Sequence, residues 1–224
     1  PVEEDEFSKI AKMFKTTKRE PIRILPTCDP IPTSKISEYF EARGFDRKTL
    51  KHFNVADCND KSCAMKHRSI IPINYQGRQI AYIARSTKDW VQPKYLFSEG
   101  FKKTDFLYNY DNAIGQAKLK SCMFIVEGQG DVWKLHEAGV QNAVGLFGKD
   151  ISNKQEDLLM KAGITTLVIL TDNDQAGRES KIKIKRNYGR LFTLIFPNME
   201  QNDIGDMSVE KIQTNILQNV KGYY

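Results

Sequence analysis

The pattern of hydrophobic and polar positions changes at residue 121. Beyond it, short apolar runs alternate with amphipathic stretches. The apolar runs predict buried strands at CMFIV (122–126), NAVGL (142–146), TTLVIL (165–170) and RLFTLIF (190–196). The amphipathic stretches predict helices at 130–139, 153–163, 176–189 and 208–220. Strands that alternate with helices predict an α/β fold, with a mostly parallel sheet covered on both faces.

The preceding segment, residues 33–120, has the pattern of a smaller α+β subdomain. TSKISEYFEARG (33–44) predicts a helix that Thr33 or Ser34 caps and Gly44 ends, and a shorter helix follows at 46–53. SIIPINY and RQIAYIAR flank a Gln76-Gly77 pair and predict a β-hairpin, and KYLF (94–97) predicts another strand.

The first 32 residues contain Pro21, Pro26, Pro30 and Pro32 within twelve positions, which excludes a continuous helix. We therefore predict an arm or linker at 1–32, a basic subdomain at 33–120 and an α/β domain with a C-terminal helix at 121–224. The chain does not begin with Met, so we expect a fragment or a processed product.

Charge separates the two halves. Residues 1–120 carry 22 Lys and Arg against 15 Asp and Glu, whereas residues 121–224 carry 12 against 13. A basic half beside a half with clustered acids suits a polyanionic partner and a metal ion, although charge taken alone favours an ordinary solvated surface.

Composition indicates a soluble protein without a membrane segment. Charged residues make up 28% of the chain, mean hydropathy is −0.50, and no apolar run approaches the roughly 18 residues of a membrane helix. The four cysteines are too scattered to predict a disulfide scaffold, and Cys122 lies in an apolar run. We therefore expect a reducing, cytoplasmic location.

Acidic residues follow the predicted strands where those strands end. Glu127 comes directly after the first strand of the α/β domain, and Asp172 and Asp174 follow the third. If these strands are neighbours, the three carboxylates converge at one sheet edge, where a cation would offset their repulsion. Oxygen ligands favour Mg²⁺ or Mn²⁺. Asp203 and Asp206, after the last strand, would lie on the same edge. A single acid in such a place is usually a helix cap or turn residue, but the ordered set predicts a metal site.

At these residues the sequence resembles a TOPRIM domain. The E-G-x-x-D motif of bacterial-type (DnaG-like) DNA primases is matched by Glu127, Gly128 and Asp131, and the D-x-D-x-A-G motif by Asp172, Asp174, Ala176 and Gly177. Further similarities are Ala138-Gly139, Asn142-Ala143-Val144 and Gly148-Lys149. The basic half is also similar to the primase core over ISEYFEARGFDRKTLKHFNV, RSIIPINYQGRQIAYIARS and WVQPKYLFSEG.

The resemblance implies a Rossmann-like TOPRIM sheet and a primase catalytic core that copies single-stranded DNA into short RNA primers from nucleoside triphosphates. Glu127, Asp172 and Asp174 would be catalytic and would hold Mg²⁺ or Mn²⁺ with Asp131, Asp203 and Asp206. The nucleotide or nucleic-acid contacts would be Arg68, Arg85, Lys94 and Lys149. The implied partners are the template, the triphosphates and a replicative helicase, with no membrane partner.

Several departures from the family keep two alternatives open. No zinc ribbon or helicase domain is found within the sequence, and the usual E-G-Y-x-D reads E-G-Q-G-D. Compactness and divergence suggest a phage or mobile-element primase. A metal-dependent TOPRIM nuclease needs only the acidic set. A non-catalytic module that binds single strands or docks a helicase needs no complete site.

Three further groups have ordinary explanations. His52, Cys58, Cys63 and His67 have the spacing of a zinc site, but two free thiols in a polar loop are the preferred interpretation. Base stacking is possible for the aromatic residues of the β section, but core packing is preferred for those that lie on an alternating strand face; the residues are Tyr75, Tyr82, Trp90, Tyr95 and Phe97. The basic residues of helix 176–189 are interpreted as a solvated face; they are Lys181, Lys183, Lys185 and Arg186.

Overall fold

The fold contains two β-sheets, one in each half of the chain. The computed structural model describes residues 33–58, 62–171, 174–198 and 203–224. The predicted arm at 1–32 lies outside these ranges. Among the described residues, all strands of the first sheet precede residue 100 and all strands of the second follow residue 121.

The first sheet has five antiparallel strands in the order β1-β2-β3-β4-β5. The predicted hairpin is confirmed as β3 and β4. Its turn residues Gln76 and Gly77 have φ of 53° and 72°, which matches the twist of the paired strands. The strands are β1 (Thr33–Ile36), β2 (Ala56–Cys58), β3 (Arg68–Tyr75), β4 (Arg78–Ser86) and β5 (Tyr95–Phe97).

The predicted helix at 33–44 is wrong over its first half. Thr33–Ile36 is strand β1, which pairs antiparallel with β2, and the helix α1 spans only Glu38–Ala42. Ser37 caps it, because its Oγ accepts a hydrogen bond from the Phe40 amide. Pairing with a strand 20 to 25 residues away overrides the local helical pattern, as tertiary context often does. The next helix, α2 (Arg47–His52), agrees with prediction and is capped by Asp46.

Helix α3 (Tyr110–Lys120) joins the two halves and was not predicted. Its buried residues are the small Ala113 and Ala117, so it lacks the broad apolar stripe that identifies an amphipathic helix. The helix packs against β3 of the first sheet and β6 of the second.

The second sheet confirms the predicted parallel α/β arrangement. Its order is β7-β6-β8-β9, and all pairs are parallel. The strands are β6 (Cys122–Val126), β7 (Ala143–Gly145), β8 (Thr166–Leu170) and β9 (Thr193–Ile195). The intervening helices are α4 (Gln129–Glu137), α5 (Asn153–Lys161) and α6 (Gln175–Tyr188).

The last predicted helix is helical but irregular. A short α-helical segment, α7 (Val209–Lys211), runs into a π-helix at Ile212–Ile216 and a 3₁₀ turn at Leu217–Val220. Ile212, Ile216 and Leu217 remain buried through these changes of pitch.

Buried side chains from both halves form one continuous core. The fully buried Trp133 of α4 donates its indole Nε1–H to the Tyr108 hydroxyl at 2.9 Å. Tyr108 in turn exchanges backbone hydrogen bonds with Gly145 of β7, at 2.9 and 3.2 Å. Cys122 is also buried, which raises the pKa of its thiol to about 12. None of the helices among the described residues is both long and apolar enough to cross a bilayer.

Candidate functional site

A cleft of about 510 Å³ lies between the two halves of the molecule. Its first wall comes from the basic half, through Phe40, Arg43, Phe45, Ile83, Lys94, Tyr95 and Phe97. Its second wall comes from the α/β half, through residues 127–131, Phe147, Gly148, Asp203, Gly205 and Asp206. The cleft therefore has cationic and aromatic groups on one side and carboxylates on the other.

Glu127 lies in this cleft at the carboxyl end of β6. Strands β6 and β8 are direct neighbours, with Val126 opposite Leu170, so the condition for the predicted convergence of acids is met. Asp172 lies outside the described residues, and its approach to Glu127 stays a prediction.

Asp174 is the N-cap of helix α6. Its Oδ1 accepts a hydrogen bond from the Gly177 amide at 2.6 Å, and its Oδ2 lies 3.3 Å from the Lys149 ammonium. The Gly177 amide first, and Lys149 second, hold the pKa of the Asp174 carboxyl below its ordinary value. Asp174 is thus an ionised capping residue, and its metal-binding role stays a prediction.

Asp131 and Asp203 support an acidic turn at residues 203–206. Asp131 is buried, and its two oxygens accept hydrogen bonds from the amides of Gly128 at 2.9 Å and Gly205 at 3.0 Å. Asp203 also accepts from the Gly205 amide, at 2.7 Å. These bonds fix the turn beside Glu127, which favours a supporting role for Asp131 over direct metal contact.

Arg43 is a cleft residue that the sequence did not single out. Its Nη2 lies 3.5 Å from Oδ1 of Asp206, so it joins the two walls. Despite partial burial, its hydrogen bond to Tyr39 and the charge of Asp206 raise the pKa of its guanidinium. The only signal in the sequence is its place beside the helix-ending Gly44.

A buried ion pair anchors the turn that carries Arg43 and Phe45. The Lys134 ammonium lies 2.7 Å from the Glu137 carboxylate and also donates to the Gly44 carbonyl at 2.5 Å. Glu137 accepts a further hydrogen bond from the Asp46 amide at 2.7 Å. Because these side chains belong to helix α4, one wall of the cleft is fastened directly to the other.

The predicted contacts of Arg68 and Arg85 with phosphates need correction, because both side chains are buried. Arg68 donates to the carbonyls of Pro93 at 2.8 Å and Gln92 at 3.1 Å, and burial and the Arg85 charge lower its pKa. Arg85 donates to the Tyr39 hydroxyl at 2.8 Å and to Ser86. Both guanidiniums therefore stabilise the protein structure around the cleft through these internal hydrogen bonds.

The aromatic residues of the β section divide between the core and the surface. Tyr75 is buried, as predicted, but Trp90 is 71% exposed and Tyr95 is 39% exposed. The Arg85 guanidinium lies 5.0 Å from the Tyr95 ring and 5.1 Å from the Tyr39 ring, which places a cation between two aromatic faces. Tyr95 and Phe97 line the cleft beside the exposed Lys94.

The alternative zinc site receives no support. No group of three or more His, Cys, Asp or Glu poised to hold a metal occurs within the ranges that the structure describes. His52 instead stacks on His136, with ring centroids 4.5 Å apart, and His67 packs against Trp90. Cys58 and Cys63 are not in a disulfide.

The donor set of the cleft nevertheless fits Mg²⁺. Glu127, Asp203 and Asp206 line the same cleft, although within the described ranges their carboxylates are not gathered into one preformed metal site. Mg²⁺ commonly binds through one or two carboxylates and completes its shell with water and substrate phosphates, so it does not require a prearranged protein cage.

Comparisons with known proteins identify part of this architecture. A family model described as the Toprim domain matches residues 121–195, which include the acid-bearing ends of β6 and β8 and all four strands of the parallel sheet. The predicted TOPRIM resemblance is thereby confirmed for this segment.

Sequence relatives extend the match into the basic half. A DNA primase of Staphylococcus aureus is 27% identical over 158 residues, which cover 67% of this chain and 26% of the relative. A DNA primase of Listeria monocytogenes is 29% identical over 174 residues, covering 72% and 28%. The chain thus spans about a quarter of the length of the curated relatives it matches.

Solved structures share the fold across both halves. The zinc-binding and RNA polymerase domains of the Aquifex aeolicus primase align with a TM-score of 0.67 and 24% identity, over 82% of this chain and 53% of that one. Residues 121–195 therefore form a Toprim domain, and the chain is related in sequence and fold to the catalytic core of DnaG-like DNA primases.

Proposed function

We propose that the chain is the catalytic core of a DNA primase, which synthesises short RNA primers on single-stranded DNA from nucleoside triphosphates. The observation that carries the proposal is the two-walled cleft. Its carboxylates suit a divalent cation, its cations suit the phosphates of a nucleotide, and the similarity to a primase extends into both halves of the chain that form its walls. In a bacterial protein of this kind, the reaction would take place in the cytoplasm.

The metal would be Mg²⁺ or Mn²⁺, held by Glu127 with Asp172 and Asp174, while the turn at 203–206 supplies further carboxylates. When bound, the metal would stabilise negative charge on the phosphates during an in-line displacement. The protein's own contribution is orientation. The bonds from Asp131 to Gly128 and Gly205 keep the two acidic segments in a fixed relation before any ligand arrives.

The triphosphate would be contacted by Arg43 and Lys94 from the basic wall and by Lys149, which follows the cleft residue Gly148 in the chain. All three are exposed, so their charges can reach an entering polyanion. Arg43 pairs with Asp206, and Lys149 pairs with Asp174, at 3.5 and 3.3 Å respectively. Each pair is a weak surface ion pair. A bound phosphate could replace the carboxylate as the partner of the cation, and a bound metal could replace the cation as the partner of the carboxylate, with stronger interactions in both cases.

Single-stranded DNA is proposed as the template. A DnaG primase catalytic domain bound to single-stranded DNA has the same fold, with a TM-score of 0.63 at 19% identity, over 81% of this chain and 70% of that one. The positive charge of the basic half supplies the general attraction for such a strand. A replicative helicase as a further partner stays a prediction.

The two alternative functions explain less of the molecule. A Toprim nuclease would require the acidic set but gives no reason for the basic half to build one wall of the cleft. A non-catalytic binding module gives no reason for four acidic residues, Glu127, Asp131, Asp203 and Asp206, to line that same cleft.

The direct test is extension of an RNA primer annealed to single-stranded DNA, with labelled triphosphates and Mg²⁺ or Mn²⁺. A supplied primer bypasses initiation, which in the longer relatives could involve other domains. We expect extension by the wild-type chain and at least about a 100-fold loss for Glu127→Gln, as for removal of a main electrostatic group. Glu99→Gln, at an exposed position that does not line the cleft, is the matched control and should behave as wild type.

Two results would reject the proposal. One is the absence of extension by folded wild-type protein with either metal. The other is equal extension by wild type and Glu127→Gln. Metal-dependent cutting of the strand without triphosphates would favour the nuclease instead.

A further inference from the structure

The loop between strands β4 and β5, residues 87–94, holds an exposed tryptophan on a fastened backbone. At its start, the Thr87 amide and hydroxyl donate to the His67 carbonyl at 2.9 and 3.0 Å. At its end, the buried Arg68 binds the carbonyls of Gln92 and Pro93. The Val91 amide closes an internal turn on the Lys88 carbonyl at 3.1 Å. The tip of this Trp90 loop is therefore held in place from both sides.

The two tryptophans of the chain are in opposite environments. Trp133 is completely buried, whereas the Trp90 side chain is 71% exposed. One contact orients the Trp90 indole, which packs against the His67 ring at 70° with centroids 5.1 Å apart. A large, exposed aromatic ring on a fixed loop offers a flat surface for stacking. Because the fold already orders the ring, its conformational entropy falls little further on binding.

The charge of the segment that carries this ring indicates the kind of partner. Residues 62–98 contain six basic residues and one acidic residue, Asp89. The basic residues are Lys66, Arg68, Arg78, Arg85, Lys88 and Lys94. Lys66, Lys88 and Lys94 are exposed, and Lys88 and Lys94 belong to the same loop as Trp90. An aromatic ring among exposed cations fits a strand that has both bases and phosphates.

The loop leads directly into the cleft. Lys94 and Tyr95 line it, and the four residues of chain from Trp90 to Lys94 can span at most roughly 14 Å. A base on the indole and a phosphate beside Lys94 could therefore belong to one short strand.

We propose that Trp90 stacks on an unpaired nucleobase of the single strand while the loop lysines contact its phosphates, so that the loop guides the strand toward the cleft. The proposal rests on the proposed function only in naming this strand as the template. The binding itself needs neither triphosphate nor metal.

The two tryptophans make fluorescence a direct test. A thymidylate 12-mer is titrated into the protein without metal or triphosphate, and an abasic 12-mer with the same number of phosphates serves as the comparison. Stacking predicts quenching by the thymidylate strand and much less by the abasic one. It also predicts that Trp90→Phe loses the quenching but keeps most of the affinity, since phenylalanine can still stack.

Trp90→Ala should weaken thymidylate binding about 5- to 150-fold, the range for removal of one aromatic–base contact, and should change abasic binding little. Ile182→Ala is the matched control, because Ile182 is equally exposed, at 71%, on helix α6. It should leave both affinities unchanged. Thermal unfolding should be the same for all variants.

Equal quenching by both strands, or unchanged thymidylate affinity in Trp90→Ala, would overturn the proposal. Trp90 would then contact a protein partner or no partner. The failure of primer extension would not affect this result. Base-dependent quenching without primer extension would reject the primase activity and support the stacking site. Primer extension without base-dependent quenching would support the primase activity and reject the stacking site.

Discussion

The carboxylate of Asp131 accepts a hydrogen bond from the backbone amide of Gly205 at 3.0 Å, across 74 positions of the chain. Its other oxygen binds the Gly128 amide, one residue after Glu127. One buried side chain therefore sets the distance between the strand end that carries Glu127 and the acidic turn at 203–206. This relationship turns two separate motifs of the sequence into one site.

Asp131→Ala should destabilise the fold by about 1–3 kcal/mol, because the Gly128 amide loses its partner and the Gly205 amide keeps only Asp203. Asp131→Asn retains the shape and an acceptor oxygen, so it should cost less. Urea unfolding of the two variants measures the difference. Equal stability of wild type and Asp131→Ala would contradict the supporting role.

Gly145→Ala should displace the segment that follows Glu127. A Cβ at Gly145 would lie 3.2 Å from the Gly128 carbonyl oxygen and 3.3 Å from the Tyr108 Cβ, so the backbone after β6 must move. We expect weaker Mg²⁺ binding by calorimetry and slower primer extension.

Gly115→Ala is the control for this change, because Gly115 lies on an exposed face of helix α3 with open space around it. It should instead stabilise the protein by roughly 0.5–1 kcal/mol through helix propensity. Wild-type metal affinity in Gly145→Ala would show that the close contact with Gly128 does not matter to the site.

Lys149→Gln should move metal and nucleotide affinity in opposite directions. Removal of an ammonium 3.3 Å from Asp174 should strengthen Mg²⁺ binding by a factor of up to about 5, the scale of an exposed ion pair, if Asp174 is a ligand. Loss of the same charge should weaken the binding of a non-hydrolysable triphosphate. Calorimetric titration with each ligand separates the two effects.

Lys183→Gln is the matched control for Lys149→Gln, because Lys183 forms a similarly exposed ion pair, with Asp150 at 2.7 Å. It should change neither affinity. If Lys149→Gln weakened both ligands, the idea that Lys149 and the metal compete for Asp174 would be wrong.

Stability should fall as the pH drops below about 6.5, the ordinary pKa of histidine. Burial first, and the charge of the stacked His52 second, lower the pKa of His136 in the folded state, although Glu137 opposes this. The unfolded chain therefore takes up the proton more readily, which favours unfolding below that pH. The contribution is fully present above the unfolded pKa.

Urea unfolding at pH 7.5 and 5.5 tests this prediction, with His136→Gln as the comparison. The loss of stability between the two pH values should be smaller in the variant than in wild type. An identical loss in both proteins would assign the pH dependence to other groups.

The buried strands and the parallel order of the second half were predictable, because runs such as CMFIV leave few alternatives once helices separate them. Helix α3 escaped prediction because its only fully buried residues are the small Ala113 and Ala117, and β1 escaped it because its pairing partner is distant in sequence. Burial of Arg68 and Arg85 depends on the loop at 87–94 and on Tyr39. The position of Arg43 in the cleft could not be predicted, because the Lys134–Glu137 pair, which is distant in sequence, holds the turn that carries Arg43.

The proposed activity is synthesis directed by a template, and it is tested most directly by a change in the template base alone. An RNA primer is annealed to single-stranded DNA whose next residues are all dT or all dC, and each triphosphate is supplied alone with Mg²⁺ or Mn²⁺. We expect incorporation of ATP opposite dT and of GTP opposite dC, and the loss of both in Glu127→Gln. Incorporation that ignores the template base, or no incorporation by folded protein, would contradict it.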